Sequence, residues 1–560
     1  MRKKWLGYLF AGIGFFSLTF IMTYPLGLEM GSAINDTEDS LLNTWILSWD
    51  VNQIKTFNFS HFFDANFFFP HKKVLAYSEH LFSLSLIALP VKLLFNNPIL
   101  AYNFTLLFAF FMCGFGMYLL AYHVTGDHWA SFAGGIIYAF APYKFAHLCH
   151  LQVVSAWAIP FSFLYLQKYF ANYRFRYLLL LTFFFLFQVL GNGYFALYLT
   201  LFLGFAILYT IVVEKRYHDR KLMVQLIFFI LVVLLVSAPF FYPYFVVRRE
   251  MNFMRNELFW ADISSYLASG PLNFLYGKIT SPFLRPEGEL FPGLIAVFLG
   301  YVGLRSVSVL KTGDVGQKVK SRDFKRLNRF LNILILFFLL ISITIVITGG
   351  IQGTLWGIPF SAKTPRGFIL YILIVVLIRL IYDRDFRSRV RRKLLGIHDT
   401  NLRIYFWMGM LSFLFTLGPE IHFFNIEIFP FGPYELLKII IPGFDGLRVS
   451  SRFIIFVLFS FAVFSSIGFK VLKNRFMHNR FKPVIALVPL LLLTEYLSIP
   501  TPLFPVQVNN QIPNVYQWLG KQKKDFSIIE LPLPKPWIDM ARIEAPRVYF
   551  SSYHWKKLFN

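Results

Sequence analysis

The chain has 560 residues, of which 57% are hydrophobic and 20% aromatic, and its formal charge is +25 from 54 basic and 29 acidic side chains. A soluble globular domain cannot cover that much apolar surface. The recurring long apolar runs predict an all-α polytopic membrane protein, because a bilayer core needs about 20 apolar residues per helix and the alternating strands of a membrane barrel are absent. Much of the basic excess lies in short loops between apolar runs, as orientation by basic inner loops demands, which argues against nucleic acid as a partner. Cys113 and Cys149 are the only cysteines, too few for a disulfide framework or a cysteine metal site.

In chain order, Met1-Arg2-Lys3-Lys4 precedes an apolar run, 5–26, with no clear small-residue cleavage site. This reads as a retained first helix with its N-terminus in the cytoplasm. Residues 27–98 then form a long first outer loop. Within it, Asp36, Glu38 and Asp39 place three carboxylates in four positions. Asp36, Asp39, Asn43, Asp50 and Gln53 share one helical face, and Leu41, Leu42, Trp45 and Trp49 the other. That pattern predicts an amphipathic helix along the membrane surface, with its acids toward water or a cavity and its tryptophans toward lipid headgroups. The run 81–95, broken by Pro90 and Lys92, is short for a span and reads as a second interfacial or re-entrant piece.

Further apolar runs follow at about 99–122, 129–140 and 153–170, with two more flanking Gly191-Asn192-Gly193-Tyr194. The next, at about 222–246, leads to a second long outer loop, 248–290, whose charges include Arg248, Arg249, Arg255, Glu257, Glu287 and Glu289. Continuing to a last run at 483–499 gives about 13 helices. Alternating their direction puts the basic segments 311–329 and 387–393 inside and the C-terminus outside. Residues 1–499 are thus a transmembrane domain. The segment 500–560 is an outer aqueous tail with a short helix near 515–519 and a strand near 527–532, too small for a core of its own.

The carboxylate cluster suits a general base or a divalent cation, and crowding raises carboxylate pKa values toward neutrality. A merely solvated acidic loop is the bland alternative. Helical phase favours Asp39 as the base, then Asp36, then Glu38. His147, His150 and Gln152 come close to a two-ligand metal spacing, but no Glu or Cys completes a zinc set, so no metal ligand is assigned. Hydrogen bonding to a sugar or phosphate, or capping of the preceding helix, are the two readings of that turn, to which Lys144 also belongs. Glu79 and His80 either join the same cavity or cap an interfacial helix. Arg248, Arg249, Arg448 and Arg452 lie on the outer side against the usual bias; they either bind phosphate through paired hydrogen bonds or anchor headgroups and pair with Glu250 and Glu257. No Gly-rich nucleotide loop or G-x-S-x-G elbow occurs.

Over about residues 1–215 this layout resembles the GT-C superfamily of polytopic glycosyltransferases: an N-in first helix, an outer loop with an early acidic cluster and interfacial helices, and a helix pair ending near Pro142. Asp39-Ser40-Leu41-Leu42-Asn43-Thr44-Trp45, Tyr77-Ser78-Glu79-His80, Phe140-Ala141-Pro142-Tyr143, His147 through Gln152, Leu447-Arg448 to Arg452-Phe453 and Ile529-Glu530-Leu531-Pro532 resemble, more closely, a group of bacterial membrane proteins labelled as glycosyltransferases. The resemblance implies transfer of a sugar from a polyprenyl-phosphate donor to a glycan, lipid or protein acceptor, on the outer face of a bacterial plasma membrane. It implies a first-loop carboxylate as base, and an outer C-terminal part that continues beyond Asn560. Only Glu38-Asp39 are adjacent acids here, and Lys144 with two histidines stands where some members carry a second acidic motif. A divalent cation is therefore an open cofactor. A transporter or flippase of a lipid-linked glycan is the alternative class; it predicts charges in mid-helix and inverted repeats, of which the sequence has few and none respectively.

Overall fold

The computed structural model describes residues 2–251, 259–309, 325–355, 358–362, 364–383, 386–387, 396–476, 482–533 and 540–559. Arg255, Glu257, most of the basic segment 311–329 and most of the run 387–393 lie outside the described residues. Each of the apolar runs is a helix. Among the described residues six are long and apolar enough to cross a bilayer: Trp5–Met22, Pro98–Thr125, Gly193–Val213, Arg220–Glu250, Leu327–Ile345 and Ser450–Phe476. The others run from 13 residues in His128–Phe140 to 17 in Arg366–Tyr382. At the α-helical rise that is about 20 to 26 Å, less than a hydrocarbon core of roughly 30 Å. Helix Phe82–Phe95, with Pro90 inside it, is likewise short.

Helix Ile454–Phe476 forms the middle of the bundle and packs against Leu294–Val309, His128–Phe140 and Thr400–Thr416. Where it crosses Leu294–Val309, Gly468 and Gly303 bring the two backbones together, and a Cβ on either glycine would collide with a main-chain carbonyl of the other helix. Without water to drive association, small residues and close backbone packing hold such helices together.

The acid-bearing helix of the first loop, Asp39–Lys55, departs from the surface arrangement its pattern predicts. Twelve of its residues are buried, on both faces. The Trp45 and Trp49 rings stack at 5.5 Å. Trp45 Nε1 donates to Ser551 Oγ at 3.0 Å, and Trp49 Nε1 donates to the Phe62 carbonyl at 2.8 Å. Both tryptophans therefore face protein rather than headgroups, because the C-terminal tail covers them: helix Met540–Ser551 packs on Asp39–Lys55. The predicted short helix and strand of the tail are present as Asn514–Lys521 and Ser527–Ile529. Strand Ser527–Ile529 pairs in parallel with Lys557–Phe559. That pair is stitched to the first loop by Leu558, whose N–H donates to the Asn66 carbonyl at 2.7 Å and whose carbonyl accepts from the Phe69 N–H at 2.9 Å. Phe504–Pro505 also reaches the first loop, pairing antiparallel with Ala33–Ile34. The tail has little core of its own and borrows that of the first loop.

The expected polar face of Asp39–Lys55 is also split. Only its start meets solvent, whereas Asp50 is fully buried, with Ser85 Oγ donating to Oδ2 at 2.7 Å. Burial pushes the Asp50 carboxyl well above the usual carboxylate range.

Two outcomes follow. Trp45→Ala should cost about 3–5 kcal/mol and release the tail, seen as faster proteolysis between residues 500 and 560 together with a lowered melting temperature. An acid that holds its proton more tightly when folded stabilises the fold at low pH, and this contribution fades as pH rises above the unfolded value of about 3.9. Asp50→Asn, which cannot ionise, should therefore melt at least ~2 °C above the parent at pH 8, with the gap closing toward pH 5.

Candidate functional site

One end of the bundle gathers polar side chains from four distant parts of the chain. The first part is the start of helix Asp39–Lys55. Asp36 does not point into the cluster; its Oδ2 accepts from the N–H groups of Glu38 (2.9 Å) and Ser40 (3.2 Å) and so caps the helix start. Glu38 is exposed and makes no side-chain cap bond. Asp39 reaches His150, Oδ2 to Nε2 at 3.2 Å, with about half of its side chain still open to solvent.

The second part is the irregular stretch between the short helices Pro142–Ala146 and Leu151–Val154. Helix His128–Phe140 cannot run on into it, since Pro142 lacks the N–H that a continuing helix needs. His147 and His150 face one another, Nδ1 to Nδ1 at 3.2 Å. Asn43 ties the stretch to the first loop: its Nδ2 donates to the Cys149 carbonyl at 3.1 Å and to Gln152 Oε1 at 3.3 Å. Lys144 is drawn away from the cluster, donating to the Val154 carbonyl at 2.6 Å in a fully buried position.

The third part is the second long loop. Asp262, itself buried, holds this loop by accepting from Ser264, Phe424 and Asn425 N–H groups and pairing with Arg285. Glu287 then adopts a left-handed backbone, φ +57°, a conformation that costs a non-glycine residue about 1–2 kcal/mol and persists where surrounding contacts impose it. Its Oε2 lies 3.6 Å from His147 Nδ1, and Glu289 Oε2 lies 4.0 Å from His147 Nε2.

The fourth part is the start of the central helix. Arg452, nearly buried, donates to both oxygens of Glu287, Nη2 to Oε1 at 2.5 Å and Nε to Oε2 at 3.2 Å. Its guanidinium stacks 4.5 Å over the Tyr194 ring. Glu79 closes the cluster from the side, its Oε1 accepting from the Gly193 N–H at 2.7 Å at the positive end of helix Gly193–Val213.

The electrostatics correct the expectation that crowded acids lift one another. The His150 hydrogen bond holds Asp39 below the usual carboxylate range, against its burial. Burial opposes charge on His150, but its bonds to Asp39 and Cys149 carry it up to about 10. Burial first, with the charges of His150, Arg452 and Lys144 behind it, takes His147 down to about 3 against the pull of Glu287. Glu287 is opposed by burial, yet Arg452 holds it at about 2, while burial with the Glu287 charge lifts Glu289 to about 7. The pair at the mouth is therefore a carboxylate on an imidazolium, above a neutral imidazole and an ion-paired glutamate.

The remaining sequence candidates sit elsewhere. His80 is buried among Phe63, Phe240 and Tyr244, with Nδ1 accepting from the Phe82 N–H, and is a local structural cap. Arg248 forms a two-point ion pair with Asp445. Arg249 and Arg448 are exposed, with no side-chain ion pair among the described residues. Arg448 lies beside the cluster, its N–H donating to Tyr194 Oη at 3.2 Å. Sequence reasoning passed over Glu287, Glu289, Asn43 and Tyr194. The one available signal for Glu287 was the need of a buried Arg452 for a carboxylate.

Among the described residues two sets of side chains have donor atoms close enough to share an ion, His147/His150/Glu287 and Asp39/Cys149/His150. Among the described residues the chain is mostly helical, with six helices long and apolar enough to cross a membrane and a polar cluster at one end of the bundle. No protein-family model matches it, and no curated protein matches it either.

Removing one partner of a buried ion pair strands the other. Arg452→Ala should cost about 3–5 kcal/mol, and Arg452→Ala combined with Glu287→Gln should recover part of it, measured as melting temperatures across the double-mutant cycle.

Proposed function

We propose that the protein is a membrane-embedded, inverting glycosyltransferase. It moves a sugar from a polyprenyl-phosphate donor to a glycan, lipid or protein acceptor at the outer face of a bacterial plasma membrane. In this reading the chain crosses the bilayer about 13 times with its basic loops inside, which puts the Asp39 end outside. The observation that supports it is the meeting of Asp39 with His150, 3.2 Å apart, under a roof made by the second long loop. A half-open carboxylate thus stands beside a desolvated polar floor, and the exposed Arg448 joins the same cluster through its N–H on Tyr194 Oη.

Asp39 takes the proton of the acceptor hydroxyl, and the resulting oxygen attacks the anomeric carbon. The bond from that carbon to the phosphate oxygen breaks, and polyprenyl phosphate leaves as an anion. Arg448 meets the developing phosphate charge with paired hydrogen bonds. Arg248 and Arg452 do not take that part, since each is already committed to a carboxylate. Asp36 is the helix cap rather than a second base.

Sugar transfer from a short-chain polyprenyl-phosphate sugar in proteoliposomes tests this. Asp39→Asn should lower kcat by ~10²–10⁴-fold, whereas Asp36→Asn, which preserves the cap, should leave it within about threefold. Equal rates in the parent and Asp39→Asn exclude the base. Translocation of the lipid donor with no covalent product would place the protein with flippases instead.

A further inference from the structure

The two histidines need an explanation that sugar transfer does not supply. Two imidazole Nδ1 atoms 3.2 Å apart must share either a proton or a cation. The third vertex is Glu287 Oε2, 3.6 Å from His147 Nδ1, and all three donor atoms lie within 4.8 Å of one another. A tetrahedral ion with bonds of about 2.0–2.1 Å sets its ligands roughly 3.3–3.4 Å apart, so the two measured edges bracket the required length.

The far sides of the rings carry the same message. Metal-bound imidazoles almost always offer their other nitrogen to a carboxylate, which orients the ring. His150 Nε2 meets Asp39 Oδ2 at 3.2 Å. His147 Nε2, buried and without a hydrogen bond, has Glu289 Oε2 at 4.0 Å. Arg452 fixes the Glu287 carboxylate from behind. The rival set Asp39/Cys149/His150 spends the nitrogen and carboxylate that orient the His150 ring, and its Asp39 is the most exposed member of the cluster.

We propose that His147 and His150, through Nδ1, and Glu287, through Oε2, bind a single Zn²⁺-class divalent transition-metal ion, with Asp39 and Glu289 as positioning residues for the rings. Two nitrogens and one carboxylate oxygen are ligands of borderline-soft ions rather than of Mg²⁺ or Ca²⁺. Three protein ligands leave a fourth position for water or a substrate oxygen, the pattern of catalytic rather than closed structural zinc. The inference does not rest on the sugar-transfer reading, and its test uses neither donor nor acceptor.

Purified full-length protein in detergent, stripped with chelator, is reloaded with Zn²⁺, freed of excess ion by gel filtration and assayed for bound zinc. About one ion per chain is expected. His147→Ala and His150→Ala should each weaken retention at least ~10-fold, and Asp39→Asn should weaken it ~10–100-fold as an orienting partner. Loading with Co²⁺ should give the intense visible bands of a tetrahedral site, which Glu287→Gln changes. This spectrum is read on the parent chain and so stands even where a variant folds poorly. Zinc no higher than in the stripped protein, a weak six-coordinate cobalt spectrum, or retention in both histidine variants equal to the parent's would overturn the proposal.

Discussion

The contact on which this end of the molecule depends is the buried pair between Arg452 and Glu287. Arg452 stands at the start of the central helix, so its position is set by the best-packed element of the bundle. A guanidinium there must find a carboxylate, and the second long loop supplies one by holding Glu287 in a left-handed conformation. The same carboxylate then faces His147, and through it His150 and Asp39. A core requirement thus propagates outward, one charge at a time, until it reaches the only member that is half open to solvent.

The first loop is held by a different physics. Helix Asp39–Lys55 is buried over most of its length, and the C-terminal tail supplies part of that cover through the Trp45 hydrogen bond to Ser551 and the Trp49 ring contact with Trp555. Rigidity at Asp39 therefore comes from residues some five hundred positions away in sequence. Asn43 adds a second tether, to Cys149 and Gln152, so the carboxylate and the imidazole it meets sit on elements already joined to each other. Such preorganisation is what a reacting or ligand-holding group requires.

Much of the site was legible without coordinates, and the misses have physical reasons. Asp39, His147, His150 and Gln152 stand out in sequence because polar residues in a short turn of a very apolar chain invite a reason. Asp36 looked like a twin of Asp39, yet one carboxylate at a helix start is consumed by orphan N–H groups, and only coordinates say which. Glu287 was one of several charges in the second long loop. Its partner is 165 positions away, and no local pattern carries such a pairing. Trp45 and Trp49 were read as lipid-facing because an amphipathic face next to a bilayer is ambiguous: headgroups and a docked protein segment satisfy the same pattern.

The sequence alone determined that the chain is mostly helical, with runs apolar enough to span a membrane, and where those helices lie, because hydrocarbon would leave an apolar backbone no option but to bond within its own helix. It also determined that the tail could not stand by itself. Tertiary structure decided everything that depends on pairing between distant segments: the tail on the first loop, Arg452 on Glu287, and the two histidines turned toward each other. Charge pairing and packing act on distance in space. Periodicity and composition record only distance along the chain.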